Sequence, residues 1–249
     1  MRNRMMFFDC NCYIGQPSGG GPAASAEELT AAMDRAGIAG ALVWHVAQRD
    51  LDPLTGNDLL ERGIAGRQRL LGCWTILPPQ TGELGRPAEW LARALAAGVR
   101  AFRAFPDENR YLLRADAVGG LLELMIAARA PLIVSVGKQW QGVYDLLGEL
   151  PELTVILSDL GCWGADRYFR PLIERYTNVH LDISDYMLDG GIEAFVADYG
   201  AGRMLFGSGF PAAYHGAMML ALARAEISDA DKQAIAAGNL RRLTGEVST

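Results

Sequence analysis

Short apolar runs recur along the chain, each followed by a turn and then a longer stretch rich in Ala, Leu, Glu and Arg. The runs occupy residues 5–11, 40–46, 70–77, 99–105, 131–137, 153–161, 178–184 and 203–209. They are near-continuously apolar, the pattern of strands buried on both faces of a parallel sheet. The stretches between them carry helix signals. Ser25 with Glu28 three residues on forms a capping box, and Pro87 opens a segment that Gly98 closes. Segments 116–130, 141–150 and 228–245 follow the same logic. Eight strands alternating with helices over 249 residues predict a (β/α)8 TIM barrel. The competitor is an open doubly wound sheet. Its phosphate fingerprint, G-x-G-x-x-G after the first strand, is missing, because Gly15 to Pro22 has the wrong spacing and two prolines. No Pro/Ser-rich linker divides the chain, so residues 1–249 are expected to form a single domain.

Composition narrows the function classes. Half the residues are hydrophobic and 21% are charged, ordinary values for a globular protein. A net charge of −6 with no basic run argues against nucleic acid or anionic membrane as a partner. No stretch has the length of apolar residues that a transmembrane helix needs, and Asp9 interrupts the N-terminal apolar run too early for a signal peptide. The four cysteines (Cys10, Cys12, Cys73, Cys162) form no C-x-x-C pair and are expected to be reduced and buried. The expected location is cytoplasmic.

In a barrel of this kind, chemistry gathers at the C-terminal strand ends. In chain order these are Asp9/Asn11/Tyr13, His45, Trp74, Arg103/Phe105, Ser135/Lys138, Asp159, Asp182/Ser184 and Ser208/Gly209. In that order the chain resembles the amidohydrolase-related family, metal-dependent TIM-barrel hydrolases and decarboxylases of the amidohydrolase superfamily. The family's opening D-x-H-x-H-x-G stands here as Asp9-Cys10-Asn11-Cys12-Tyr13-Ile14-Gly15. Its P-x-x-x-H-x-G is Pro131 to Gly137 with Ser135 in the histidine's place, and its H-x-G is Asp159-Leu160-Gly161. Its F-G-[ST]-D-x-P is Phe206-Gly207-Ser208-Gly209-Phe210-Pro211, and its closing G-N-x-x-R-L is Gly238 to Leu243.

The departure from the family is systematic. Asn11, Tyr13, Ser135, Asp159 and Gly209 occupy the five metal-ligand positions that the resemblance implies. A catalytic zinc takes three protein ligands from His, carboxylate or Cys, and only Asp159 is a strong one. Gly209 also replaces the aspartate that serves the family as general base. No metal and no cofactor are therefore expected. Strand alternation sends Cys10 and Cys12 outward as packing if Asn11 and Tyr13 face in; a thiolate zinc site with Cys73 or Cys162 is the alternative. His45 is either a mouth residue or a packed rim residue. His180 is expected as a buried, hydrogen-bonded core histidine, and His215 as a capping or surface residue. Gly207-Ser208-Gly209 is no nucleophile elbow. Ser135-x-x-Lys138 leaves a strand, whereas the S-x-x-K motif works on a helix.

What survives is a polar mouth. Asp159, Arg103 and His45 are the catalytic candidates, and Asn11, Tyr13, Trp74, Ser135, Lys138, Asp182 and Ser208 the substrate-binding ones. Trp74, Trp140, Trp163 and Tyr186 are candidate apolar walls. Arginine's planar fork suits a carboxylate; alternatively, Arg103 pairs with Asp9 or Asp159 and plugs the vacated site. The expected function is a protein that binds a small organic acid or a non-catalytic homologue. The alternative is a metal-independent hydrolase or lyase acting on a small carboxylate or lactone. It uses Asp159 as base, Arg103 as anchor, and Tyr13 and His45 as polarising groups. The expected partner is a small, anionic ligand, and a homo-oligomer is compatible with the sequence.

Overall fold

The computed structural model describes residues 5–161 and 163–248. Eight strands form one sheet in chain order: β1 (Phe7–Ile14), β2 (Ile38–His45), β3 (Leu70–Thr75), β4 (Val99–Ala104), β5 (Leu132–Ser135), β6 (Val155–Ser158), β7 (Val179–Asp182) and β8 (Met204–Leu205). Neighbouring strands run parallel throughout. The strand expected at 203–209 pairs regularly only over its first residues. Beyond them Phe206 to Phe210 still close the ring on β1. Cys10 N donates to Phe206 O at 2.9 Å, Gly209 N to Asn11 O at 3.0 Å and Tyr13 N to Phe210 O at 2.9 Å. This is the (β/α)8 barrel that the apolar runs predict.

Helices α1 (Ala26–Ala36), α2 (Ala47–Asp50), α3 (Pro53–Ile64), α4 (Pro87–Ala96), α5 (Ala115–Ala127), α6 (Trp140–Glu149), α7 (Asp166–Arg175), α8 (Gly191–Tyr199), α9 (His215–Arg224), α10 (Asp229–Gln233) and α11 (Asn239–Gly245) cover the barrel. The Ser25–Glu28 capping box starts α1, with both reciprocal bonds formed. The core has two layers. The larger lies between strands and helices; the smaller fills the barrel with Cys10, Leu42, Cys73, Ala101, Ile133, Ile156 and Leu205. Among the described residues, no helix is long and apolar enough to cross a membrane.

One irregularity decides how β1 presents its side chains. Asp9 pairs with Ala41 and Cys12 with Val43, so β1 spends one more residue than β2 over this stretch. That extra residue is a β-bulge and breaks the two-residue alternation. Cys10 therefore joins the barrel interior, contrary to the outward placement expected of it, whereas Cys12 packs in the outer layer as expected. Asn11 then faces the barrel mouth. Cys162 lies outside the described residues.

Candidate functional site

Asn11 sits at the centre of the mouth. Its amide nitrogen donates to Asp182 Oδ2 at 2.8 Å and to Ser158 Oγ and Ser184 Oγ, each at 3.2 Å. Its amide oxygen accepts from Arg103 Nη2 at 3.0 Å. The carboxamide thus bridges a buried carboxylate and a buried guanidinium. Asp182 Oδ2 also accepts from Ser158 Oγ at 2.7 Å and Ser184 Oγ at 2.9 Å, and Oδ1 from Ser184 N at 2.9 Å. Burial raises the Asp182 pKa, and the Ser158 and Ser184 donors pull against that rise. Gly207 leaves room for this carboxylate: a Cβ there would lie 2.1 Å from Asp182 Oδ1.

Arg103 is 2% exposed, yet no carboxylate pairs with it among the described residues. Its guanidinium lies 5.1 Å from the Trp44 ring centre and 5.7 Å from that of Phe105, a cation–π arrangement. Nε is buried without a partner among the described residues. Above it opens a cavity of about 310 Å³ lined by Arg103, Trp44, Phe105 and Tyr13 on one side and by Ser135, Asp159 and Asp185 on another. Arg49 and Glu108 reach the rim. Burial raises the Asp185 pKa. Asp159 directly follows β6 in the left-handed region, φ 57°, a conformation that costs a non-glycine residue energy. The turn points its carboxylate into the cavity, where it accepts from the Ser135 hydroxyl.

The mouth therefore gathers Asn11, Tyr13, Arg103, Ser135, Asp159 and Ser208 among the expected residues. Tyr13 does not fill the cavity. Its hydroxyl reaches outward to donate to Pro22 O at 2.9 Å. The Arg103 ion pair with Asp9 or Asp159 does not form; Arg103 binds Asn11 instead. Asp182 lies beneath the cavity and holds Asn11 rather than lining the wall.

Several expected site residues stand elsewhere. Trp74 faces the helices, with its ring centre 5.7 Å from Trp90 of α4, because Cys73 takes the inward position in β3. His45 faces away from the mouth beside Gly15, because Trp44 takes the inward place at the end of β2. Lys138 is exposed and does not line the cavity. Trp140 stacks on Tyr168, Trp163 is exposed and Tyr186 binds Asp166, so none of the three walls the mouth. His180 is buried as expected, but its Nδ1 has no partner among the described residues. His215 is buried beside Asp9, not at the surface. Trp44, Arg49, Ser158 and Asp185 are the contributors that strand-end reasoning misses. Trp44 takes the inward place one residue before His45, whereas Ser158 lies beneath the cavity on Asp182 while Asp159, the next residue, lines it.

The resemblance implies metal ligands at Asn11, Tyr13, Ser135, Asp159 and Gly209. Both ends of the Asn11 amide are engaged within the protein. The Tyr13 and Ser135 hydroxyls donate to Pro22 and Asp159, and Gly209 has no donor atom. Asp159 is the one carboxylate among these five residues.

The sequence model of a family described as Amidohydrolase matches residues 16–245. No curated protein matches the chain. Among solved structures, 2,6-dihydroxybenzoate decarboxylase from Rhizobium is similar with a TM-score of 0.70 at 16% identity, covering 97% of this chain and 98% of that one. The 5-carboxyvanillate decarboxylase from Sphingomonas paucimobilis gives 0.71 at 13% identity over 97% and 99%. A probable 2-pyrone-4,6-dicarboxylic acid hydrolase from Acinetobacter baumannii with citric acid bound gives 0.72 at 13% identity over 96% and 99%. At these identities the likeness establishes the shared barrel.

Proposed function

The chain belongs to the amidohydrolase family, and on that premise we propose that its mouth binds a small organic acid through Arg103, without the family's zinc centre. The observation that carries this reading is the state of Arg103. It is buried between Trp44 and Phe105, bridged to Asn11, unpaired by any carboxylate among the described residues, and it lines the open cavity. A guanidinium so placed has donors left for a carboxylate, and the low-dielectric wall strengthens the pairing. The aromatic flanks suit a flat ring. The similar solved proteins named above carry carboxylate-bearing compounds in their names, which supports the ligand class.

A second reading is favoured by one observation. Asp159 is held in a left-handed turn at the cavity wall and hydrogen-bonded by Ser135. A carboxylate held there can take a proton from water or substrate. In that reading the protein is a metal-independent hydrolase or lyase, with Asp159 as base and Arg103 as anchor.

Calorimetric titration with benzoate-type and pyrone carboxylates tests the first reading. Wild-type protein binds at least one of them, and Arg103→Gln weakens that binding at least about tenfold, the loss of one charged pair. Neutral amide analogues bind weakly to both. Equal binding of acid and amide by the wild type would overturn the reading without relying on the variant. Turnover that Asp159→Asn abolishes while leaving affinity intact would select the second.

A further inference from the structure

Behind the mouth, in the wall between β1, the β8 extension and α9, a second group of polar side chains is sealed inside the protein. Asp9 and Cys12 are fully buried and His215 is 5% exposed. One donor atom from each lies within 4.8 Å of the others. Asp9 spends Oδ1 on the backbone, accepting from Asn11 N and Ser208 N at 3.0 Å each. Among the described residues its Oδ2 has no hydrogen-bond partner, nor has Nε2 of His215. The two atoms face each other at 3.8 Å, too far for a hydrogen bond. Buried polar atoms are nearly always satisfied, so a facing pair of orphans needs an occupant or a reason. Stacking on Phe210, with ring centres 4.7 Å apart, fixes the His215 ring plane.

We propose that Asp9 Oδ2, Cys12 Sγ and His215 Nε2 hold a zinc-class divalent cation in the barrel wall. Ligands at zinc–oxygen, zinc–nitrogen and zinc–sulfur distances of roughly 2.0–2.3 Å stand roughly 3.3–3.8 Å apart in a tetrahedron. An oxygen–nitrogen pair belongs at the lower end, about 3.3–3.5 Å, so the 3.8 Å Asp9–His215 spacing must tighten by a few tenths of an ångström when a cation binds. Carboxylate, thiolate and imidazole are a zinc-type donor set. Ser208 Oγ, 3.9 Å from Cys12 Sγ, is the nearest further oxygen to the thiol that the hydrogen bonds show. Burial raises the Asp9 pKa to about 6 and lowers that of His215 to about 4; a cation offsets the penalty on the Asp9 carboxylate, and burial already leaves the His215 imidazole neutral, the form that ligates. Burial also pushes the Cys12 thiol up, so binding displaces its proton to solvent. The closed setting makes the site structural: it ties β1 to α9 and is filled as the chain folds. It lies at none of the five family ligand positions and is independent of the reading of the mouth.

Cobalt tests it, because thiolate ligation gives a near-ultraviolet charge-transfer band that oxygen and nitrogen ligands do not. The full chain is refolded with Co²⁺ alone, desalted, and measured for bound metal and absorbance. The expected result is one retained cobalt per chain with the thiolate band. Cys12→Ser loses the band, whereas Cys10→Ala and the mouth variant Asp159→Asn keep it. His215→Gln, expected to lose the retained cobalt, serves if Cys12→Ser fails to fold. No retained cobalt in the wild type, retained cobalt without the band, or a band lost in Cys10→Ala and kept in Cys12→Ser would each overturn the proposal.

Discussion

Asn11 links the two halves of the mouth, donating to Asp182 and accepting from Arg103. Replacing it with Ala removes the one acceptor that Arg103 has among the described hydrogen bonds, while Asp182 keeps its serine donors. A buried charged group left unsatisfied costs about 2–3 kcal/mol, so urea unfolding of Asn11→Ala is expected to show that loss. His180 supplies a pH signature. Burial first, and then Arg242 and Arg203, lower its pKa to about 3 from 6.5. Between those values the unfolded chain binds a proton that the folded chain refuses, so stability falls as pH drops through that window. From pH 6.5 to 4 this one group accounts for a loss on the order of 3 kcal/mol. His180→Asn, compared with wild type by urea unfolding at both pH values, is expected to lose correspondingly less. Equal acid losses would contradict the burial of a neutral imidazole. Residue identities at the mouth were legible because the strand ends come in a recognisable order. Facing was not: Cys10 turns inward only through the β1 bulge, and His45 and Trp74 each lose the inward place to the residue before them.

Asn57 projects from α3 to the end of β3, where its Oδ1 accepts from Thr75 N at 2.8 Å and from Gln48 Nε2 at 2.8 Å, while its Nδ2 donates to Thr75 O at 3.0 Å. A helix side chain here completes the strand's hydrogen bonding. Asn57→Ala leaves a buried N–H and C=O unpaired and is expected to cost about 2–4 kcal/mol in the same unfolding measurement. A loss below about 0.5 kcal/mol would show that the strand end is satisfied otherwise. Nothing in local sequence separates Asn57 from an exposed helix asparagine, because its partners lie on another element. Helix starts were more legible. Ser25 and Glu28 cap α1 through contacts within three residues, so sequence spacing alone specifies the geometry. The last strand was legible as an apolar run, but its pairing with β1 beyond Leu205 depends on ring closure, which no local pattern encodes.

For the molecule as a whole, one barrel presents two separate polar assemblies. The mouth pairs an unneutralised arginine with a hydrogen-bonded acidic wall. The wall cluster of Asp9, Cys12 and His215 lies behind it. The fold was legible because eight apolar runs alternating with helices admit few packings. The wall cluster was not, because His215 stands 206 positions after Asp9 and meets it only when α9 folds back on the first strand. The mouth is proposed to recognise an organic acid by Arg103 and not by a zinc ion at the family's positions. This recognition is tested most directly by calorimetric titration of a pyrone or benzoate carboxylate into dialysed protein, shown folded by circular dichroism, with and without added Zn²⁺. The same affinity is expected in both conditions; binding that appears only when zinc is added would contradict recognition by Arg103 alone.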